Sequence, residues 1–184
     1  MTPFPLHLMR HGEPALTGRL LGRTDCDATL PGITACARRA QGLKVRHLYT
    51  SDLTRARHCA AAIGMPRSDR RWRELDFGDW DGLASSEVDA DALSAFWADP
   101  DANPPANGER WSELVARVGA AIDALPPEPT LVVTHGGAMR AALAYLCGMT
   151  PAATWIFDLS YASLLSLSVW DGDQRRGQVT GLSG

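Results

Sequence analysis

Lysine is almost missing from this chain. Lys44 is the only one in 184 residues, so nearly all positive charge rests on arginine. Arginine's planar fork suits bidentate contact with phosphate or carboxylate. Genomic base composition also enriches arginine and alanine, so position rather than number marks a functional arginine. Excess basic charge is missing too. The formal net charge is -3 at pH 7, whereas a general nucleic-acid binder carries net positive charge or a basic face. Nucleic acid is therefore not an expected partner. No segment approaches the roughly 18 apolar residues of a membrane span, and no basic-then-apolar leader stands near Met1. A membrane partner is excluded on that reading, and the cytoplasm is the expected location. Cys26, Cys36, Cys59 and Cys147 form no Cys-x-x-Cys pair and have no histidine cluster beside them. That pattern argues against zinc and for small hydrophobes with reduced thiols. Internal repeats and low-complexity tails are absent.

What is present suits a packed domain, since 45% of the residues are hydrophobic. A short apolar strand (Leu6, Leu8, Met9) runs into Arg10-His11-Gly12-Glu13-Pro14, and a loop follows to Gly22. Thr29 is the N-cap candidate for a helix with Ile33, Ala37 and Ala40 at helical spacing. Residues 45–50 form a second strand, and a second helix runs from Ser51 to about Ile63. Its apolar face is Leu53, Ala56, Ala60 and Ile63. Arg57 falls on that face and Arg55 on the solvated side. An inward arginine needs a phosphate or carboxylate ligand, an internal ion pair, or a path to solvent.

Residues 66–83 alternate charge and aromatics between glycines. Glu74, Asp76, Asp79 and Asp81 are acid candidates there, with Phe77 and Trp80 as walls. One or two short helices are expected over 84–99, then a loop over 100–108. An amphipathic helix follows through Trp111, Leu114, Val115, Val118, Ile122 and Leu125. The β-branched strand Thr130–Thr134 delivers His135-Gly136-Gly137 to a helix from about Ala138 to Cys147. The chain closes with a hairpin, residues 164–169 against a weaker strand over 178–182, at a sheet edge.

A strand thus ends in His-Gly twice. In open α/β sheets ligands collect outside the carboxyl ends of strands, so His11 and His135 meet if their strands are neighbours. Each glycine permits close backbone approach to a ligand, and each following helix offers N–H groups to an anion. Together with Arg10 and Arg57, this describes a positively charged pocket of phosphate size. His7, His47 and His58 fall elsewhere by spacing, which disfavours a metal centre.

The motifs Leu8-Met9-Arg10-His11-Gly12-Glu13, Ser51-x-Leu53-x-Arg55-Ala56-x-x-x-Ala60, Glu74-x-x-Phe77-Gly78-x-Trp80-x-Gly82 and Thr134-His135-Gly136-Gly137 occur in that order. Gly22-x-x-Asp25 and Thr29-x-x-Gly32 join them. The set resembles the histidine phosphatase superfamily in its phosphoglycerate-mutase-like branch, over essentially the whole chain. Within the branch, Phe77-Gly78-Asp79-Trp80, Asn107-Gly108-Glu109 and the compact length look most like the α-ribazole phosphatases of cobalamin biosynthesis. The resemblance implies an α/β fold, a three-layer αβα sandwich on a mostly parallel central sheet. It implies one domain over 1–184 with a small cap-like insertion around 80–108.

By the same resemblance His11 is the nucleophile that becomes a phosphohistidine. Arg10, Arg57 and His135 hold the transferred phosphoryl group, with Gly136 N–H helping, and Glu74 protonates the leaving alcohol. Thr17 replaces an asparagine that touches phosphate in many members, and Glu109 is a substrate contact whose neighbour Arg110 departs from the usual serine. No cofactor and no metal are implied. Three readings follow. The first is a metal-independent phosphomonoesterase acting on α-ribazole 5'-phosphate or a similar nucleotide-like ester. The second is a phosphoglycerate mutase or sugar-phosphate phosphatase; the short segment between Gly82 and Gly108 leaves less capping structure than mutases carry, which favours hydrolysis. The third is a non-catalytic phosphate-binding protein. The partner is a small-molecule phosphate ester, and a homodimer is compatible with the sequence.

Overall fold

The computed structural model describes residues 2–184. The sheet has six strands in the order β3-β2-β4-β1-β5-β6. They are β1 (Phe4–Arg10), β2 (His47–Thr50), β3 (Arg67–Ser68), β4 (Thr130–Thr134), β5 (Leu164–Trp170) and β6 (Arg176–Ser183). β1 and β4 pair in parallel from Leu6 opposite Thr130 to Arg10 opposite Thr134. β2 pairs in parallel with both β4 and β3. β5 and β6 run antiparallel and form the closing hairpin.

The helices are α1 (Leu30–Arg39), α2 (Thr54–Ala61), α3 (Ala90–Ala98), α4 (Trp111–Asp123) and α5 (Gly136–Cys147), with α4 and α5 packed on one face of the sheet and α1 and α2 on the other. On one face Leu6, Leu8, Val132, Leu165 and Leu167 pack with Leu114, Val118 and Ile122 of α4 and Met139, Leu143 and Leu146 of α5. On the other face Met9, Leu131 and Val133 pack with Cys36 of α1 and Ala56, Cys59 and Ala60 of α2. β4 is buried at every position, as a central parallel strand covered on both sides must be. The result is the three-layer sandwich expected from the sequence.

Local signals explain the element ends. Thr29 Oγ1 accepts the Gly32 N–H and Pro31 occupies the first turn of α1. Gly148, in the left-handed region at φ 66°, closes α5. Two boundaries differ from expectation in ways that matter. α5 begins at Gly136 rather than Ala138, because His135 stays extended as the N-cap residue and both glycines join the first turn. α2 begins only at Thr54, because Leu53 is extended (φ -72°, ψ 137°) and lies outside the helical phase.

The neighbouring register of β1 and β4 brings His11 and His135 to the same edge of the sheet, one residue past each strand. The loop at Gly12 is held hard against α1. A Cβ on Gly12 would lie 2.3 Å from the Gly32 carbonyl carbon, and one on Gly32 would lie 2.6 Å from Glu13 N. Only two glycines allow these backbones to meet, which sets the height of His11 above the sheet.

Candidate active site

His11 and His135 are both buried, with ring centroids 5.0 Å apart and planes inclined at 63°. His11 Nδ1 lies 2.6 Å from its neighbour's carbonyl, Gly12 O, and therefore carries the proton and donates it. This leaves the Nε2 lone pair unencumbered. Burial first, then the charge of Arg55 and of Arg10, lower the His11 pKa to about 3, against the raising effect of the Gly12 bond. His135 is driven well below its ordinary value by burial, then by His11, Arg55 and Arg10. Both rings are neutral at pH 7, the form in which an imidazole can attack or accept.

The second arginine of the site is Arg55, not Arg57. Arg57 is exposed, whereas Arg55 is fully buried. The expected face counted Leu53 as helical. With α2 starting at Thr54, the inward positions are Arg55, Ala56, Cys59 and Ala60, which rotates Arg57 into solvent. Arg55 donates to the carbonyls of Thr24, Leu21 and Gly22. Arg10 donates from Nη1 to Leu159 O at 2.6 Å. Among the described residues, six buried side-chain nitrogen or oxygen atoms lack a protein partner. Four of these belong to Arg10 (Nε), Arg55 (Nε) and His135 (both ring nitrogens). Unpartnered buried polar groups are costly, and their concentration on three residues around His11 marks a seat for an oxygen-rich anion.

Glu74 stands beside the anion seat. Its Oε2 accepts the Gly137 N–H at 3.0 Å and its Oε1 accepts the Leu75 N–H at 2.9 Å. A Cβ at Gly137 would fall 2.1 Å from Oε1, so glycine is required for this carboxylate to reach the start of α5. Gly136, which opens that first turn, lines the same cavity as Arg10 and His11.

Other expected residues lie elsewhere. Thr17 is exposed on the loop after β1 and does not line the cavity. Glu109 does not line it either. Its carboxylate is clamped by Arg117, Nε to Oε1 at 2.6 Å and Nη2 to Oε2 at 2.8 Å. Arg117 also donates to the Glu74 carbonyl at 2.8 Å, so the pair holds the Glu74 backbone from behind. Asp81 receives the amides of Gly22, Arg23 and Thr24, Asp76 pairs with Arg23, and Asp79 receives Asn107. Phe77 walls the cavity, whereas Trp80 packs behind it on Phe96. The arginines between 67 and 73 do not line the cavity, with Arg71 on Asp69 and Arg73 on Asp52.

The cavity opens beside His11 with a volume of about 300 Å³. Leu20, Leu21, Phe77, Phe96, Trp97, Trp111, Trp155 and Tyr161 contribute to its wall. Trp97 and Trp155 meet edge to face at 5.3 Å. Sequence reasoning does not single out Arg140, Trp155 or Tyr161, because no motif or periodicity marks them. Arg140 is bound to the carbonyls of Thr154 and Phe157 and lies 3.8 Å over the Trp155 ring.

Comparison with known proteins identifies the family and the fold. The family model described as histidine phosphatase superfamily (branch 1) matches residues 6–180. Glucosyl-3-phosphoglycerate phosphatase of Mycobacterium tuberculosis is 30% identical over 82% of this chain and 78% of its own. The solved mycobacterial glucosyl-3-phosphoglycerate phosphatase superposes with a TM-score of 0.86 at 27% identity, covering 97% of each chain. A protein from Escherichia coli described as a candidate α-ribazole-5'-P phosphatase superposes with a TM-score of 0.83 at 25% identity, over 98% of this chain and 96% of its own.

Two predictions come from the charges. Arg55→Ala lowers kcat/KM for a phosphate ester by about one to two orders of magnitude, while Arg57→Ala stays within about twofold. Steady-state kinetics with p-nitrophenyl phosphate check the pair, and an equal loss in both variants contradicts the assignment. The second concerns stability. Unfolding restores ordinary pKa values to His11 and His135, so between pH 6.5 and 5 the unfolded chain binds more protons than the fold. Stability is therefore full above pH 6.5 and falls as the pH drops, by at most about 1.4 kcal/mol per pH unit for each histidine. Burial of His7 adds in the same sense. Urea unfolding across that window should show the slope, and His135→Asn should make it shallower; a flat profile contradicts it.

Proposed function

The chain belongs to the histidine phosphatase superfamily, branch 1, and is a phosphoric monoester hydrolase; we propose that it works through a phosphohistidine on His11 and releases an aromatic, nucleotide-like alcohol. Phosphoryl transfer spreads charge over three equatorial oxygens, so catalysis rests on positioning and electrostatics. The unpartnered Nε atoms of Arg10 and Arg55, His135, and the Gly136 amide are the donors proposed for those oxygens. His11 Nε2 attacks phosphorus, the P–O bond to the alcohol breaks, and Glu74 gives its proton to the departing oxygen. Water then attacks the phosphohistidine, with Glu74 taking its proton, and inorganic phosphate leaves. These steps use only side chains of the protein and need no cofactor.

The character of the cavity carries the substrate reading. Beyond the anion seat its wall is chiefly aromatic and aliphatic, with Arg19 and Arg140 as its further arginines. Arg140 is stacked on Trp155 and bonded to backbone carbonyls, without the unpartnered buried nitrogen that Arg10 and Arg55 each keep, and Arg19 donates to Gly82 O and lies 3.6 Å from Glu87. Such a wall suits a flat uncharged ring better than a sugar acid. α-Ribazole 5'-phosphate, the ester of a benzimidazole nucleoside, fits this description. Residues 80–108, which carry α3 with Phe96 and Trp97, serve as the small cap over that ring.

A second reading has two observations in its favour, the 30% identity to glucosyl-3-phosphoglycerate phosphatase and the superposition on the solved mycobacterial enzyme with a TM-score of 0.86. Arg19 at the cavity wall, whose Nη1 is bonded to Gly82 O, would then turn its other guanidinium nitrogens to the carboxylate. Kinetics against α-ribazole 5'-phosphate, glucosyl-3-phosphoglycerate, 3-phosphoglycerate and fructose bisphosphate decide between them. The aromatic ester is expected to give the highest kcat/KM. Trp155→Ala, at a side chain 53% exposed, should cost it about tenfold while changing 3-phosphoglycerate less than twofold. A preference for the sugar acid, untouched by that substitution, contradicts the aromatic reading.

A further inference from the structure

Tyr161 lies where the phosphate seat meets the aromatic cavity, and its surroundings are unusual. The next residue, Ala162, has φ +59°, a left-handed conformation that residues with a Cβ seldom adopt outside constrained sites. The turn is tied to the nucleophile loop from both sides. Ala162 N–H donates to His11 O at 3.2 Å, and Arg10 N–H donates to Ser163 O at 3.0 Å. This strained turn sets the Tyr161 ring 5.6 Å from the His11 ring and 4.2 Å beneath the Arg10 guanidinium carbon.

Arg10 is thereby fixed on several sides. Nη1 is held by Leu159 O, and one face of the guanidinium rests on Tyr161. Its Nε edge is buried without a protein partner and faces the start of α5, where a Cβ on Gly136 would come to 3.5 Å. A guanidinium on a flexible stem loses rotational freedom when it binds an anion. One already held on a ring and a carbonyl loses less.

We propose that Tyr161 is a positioning residue, whose ring sets the plane of the Arg10 guanidinium so that the Nε edge meets the transferred phosphoryl group. The inference rests on the phosphatase reading of the site and is independent of which alcohol leaves. It assigns the function to the ring and its π face rather than to the phenolic hydroxyl.

Tyr161→Leu keeps bulk but removes the π face, and Tyr161→Phe keeps it. With inorganic phosphate as competitive inhibitor of p-nitrophenyl phosphate hydrolysis, Tyr161→Leu should raise the Ki about tenfold. It should lower kcat/KM by a similar factor for aromatic and aliphatic esters alike, with an unchanged melting temperature. Tyr161→Phe should recover most of both losses. In an Arg10→Ala background the leucine substitution should add nothing, a coupling that a purely structural residue would not show. A Ki within twofold of wild type in Tyr161→Leu, a loss confined to aromatic esters, or equal damage from Phe and Leu each overturns the assignment. If the wild-type protein itself neither binds phosphate nor turns over the ester, the phosphatase reading falls first and this inference falls with it.

Discussion

Positive charge without a protein carboxylate bonded to it is the constraint on which this structure turns. The arginines that hold the scaffold together are paired with acids: Arg71 with Asp69, Arg73 with Asp52, Arg117 with Glu109 and Arg175 with Asp171. Arg10 and Arg55 are treated differently. Their hydrogen bonds go to the backbone carbonyls of Leu159, Thr24, Leu21 and Gly22. A carbonyl satisfies an N–H without cancelling the charge. The two guanidinium groups therefore stay available to a dianionic ligand, and they add to burial, the larger cause, in keeping the neighbouring imidazoles neutral.

Several features of the fold follow from that choice. Supplying carbonyls to buried arginines requires loops that leave the sheet and fold back over its carboxyl edge, and residues 20–25 and 158–163 do so. Bringing those loops close requires residues with no side chain at the contacts. Gly12 meets Gly32, and a Cβ on Gly22 would lie 2.4 Å from Leu75 O. Gly137 lets Glu74 reach the same helix terminus whose amides favour an anion. The single carboxylate admitted to the site is thus tied to amides rather than to the arginines, which spares their charge for the substrate.

Much of this is legible in the amino-acid sequence. Alternation of strands and amphipathic helices specifies the layers, and two His-Gly steps at strand ends locate the site, because parallel pairing of β1 and β4 puts both at one edge. The helix phase of α2 is not legible, for a local reason. Leu53 is apolar and buried yet extended, so counting it as helical shifts the face and exchanges Arg55 for Arg57. Glu109 enters as a substrate contact through the family resemblance, and the Arg117 that holds its carboxylate lies eight residues on, a pairing that no motif or spacing shows. Arg140, Trp155 and Tyr161 carry no signal because they reach the cavity from a helix interior and irregular turns, where neither periodicity nor motif distinguishes a pocket wall from a surface.

The central claim is that His11 is held neutral, with its Nδ1 proton on Gly12 O and its Nε2 directed at the phosphoryl group. The most direct test is to trap the phosphoenzyme by rapid quench into base and locate the phosphoryl group by phosphorus–nitrogen correlated NMR of histidine-labelled protein. Attachment to Nε2 of His11, absent in His11→Ala, is the predicted result. Phosphorylation at Nδ1, or on another residue with His11 intact, would contradict it.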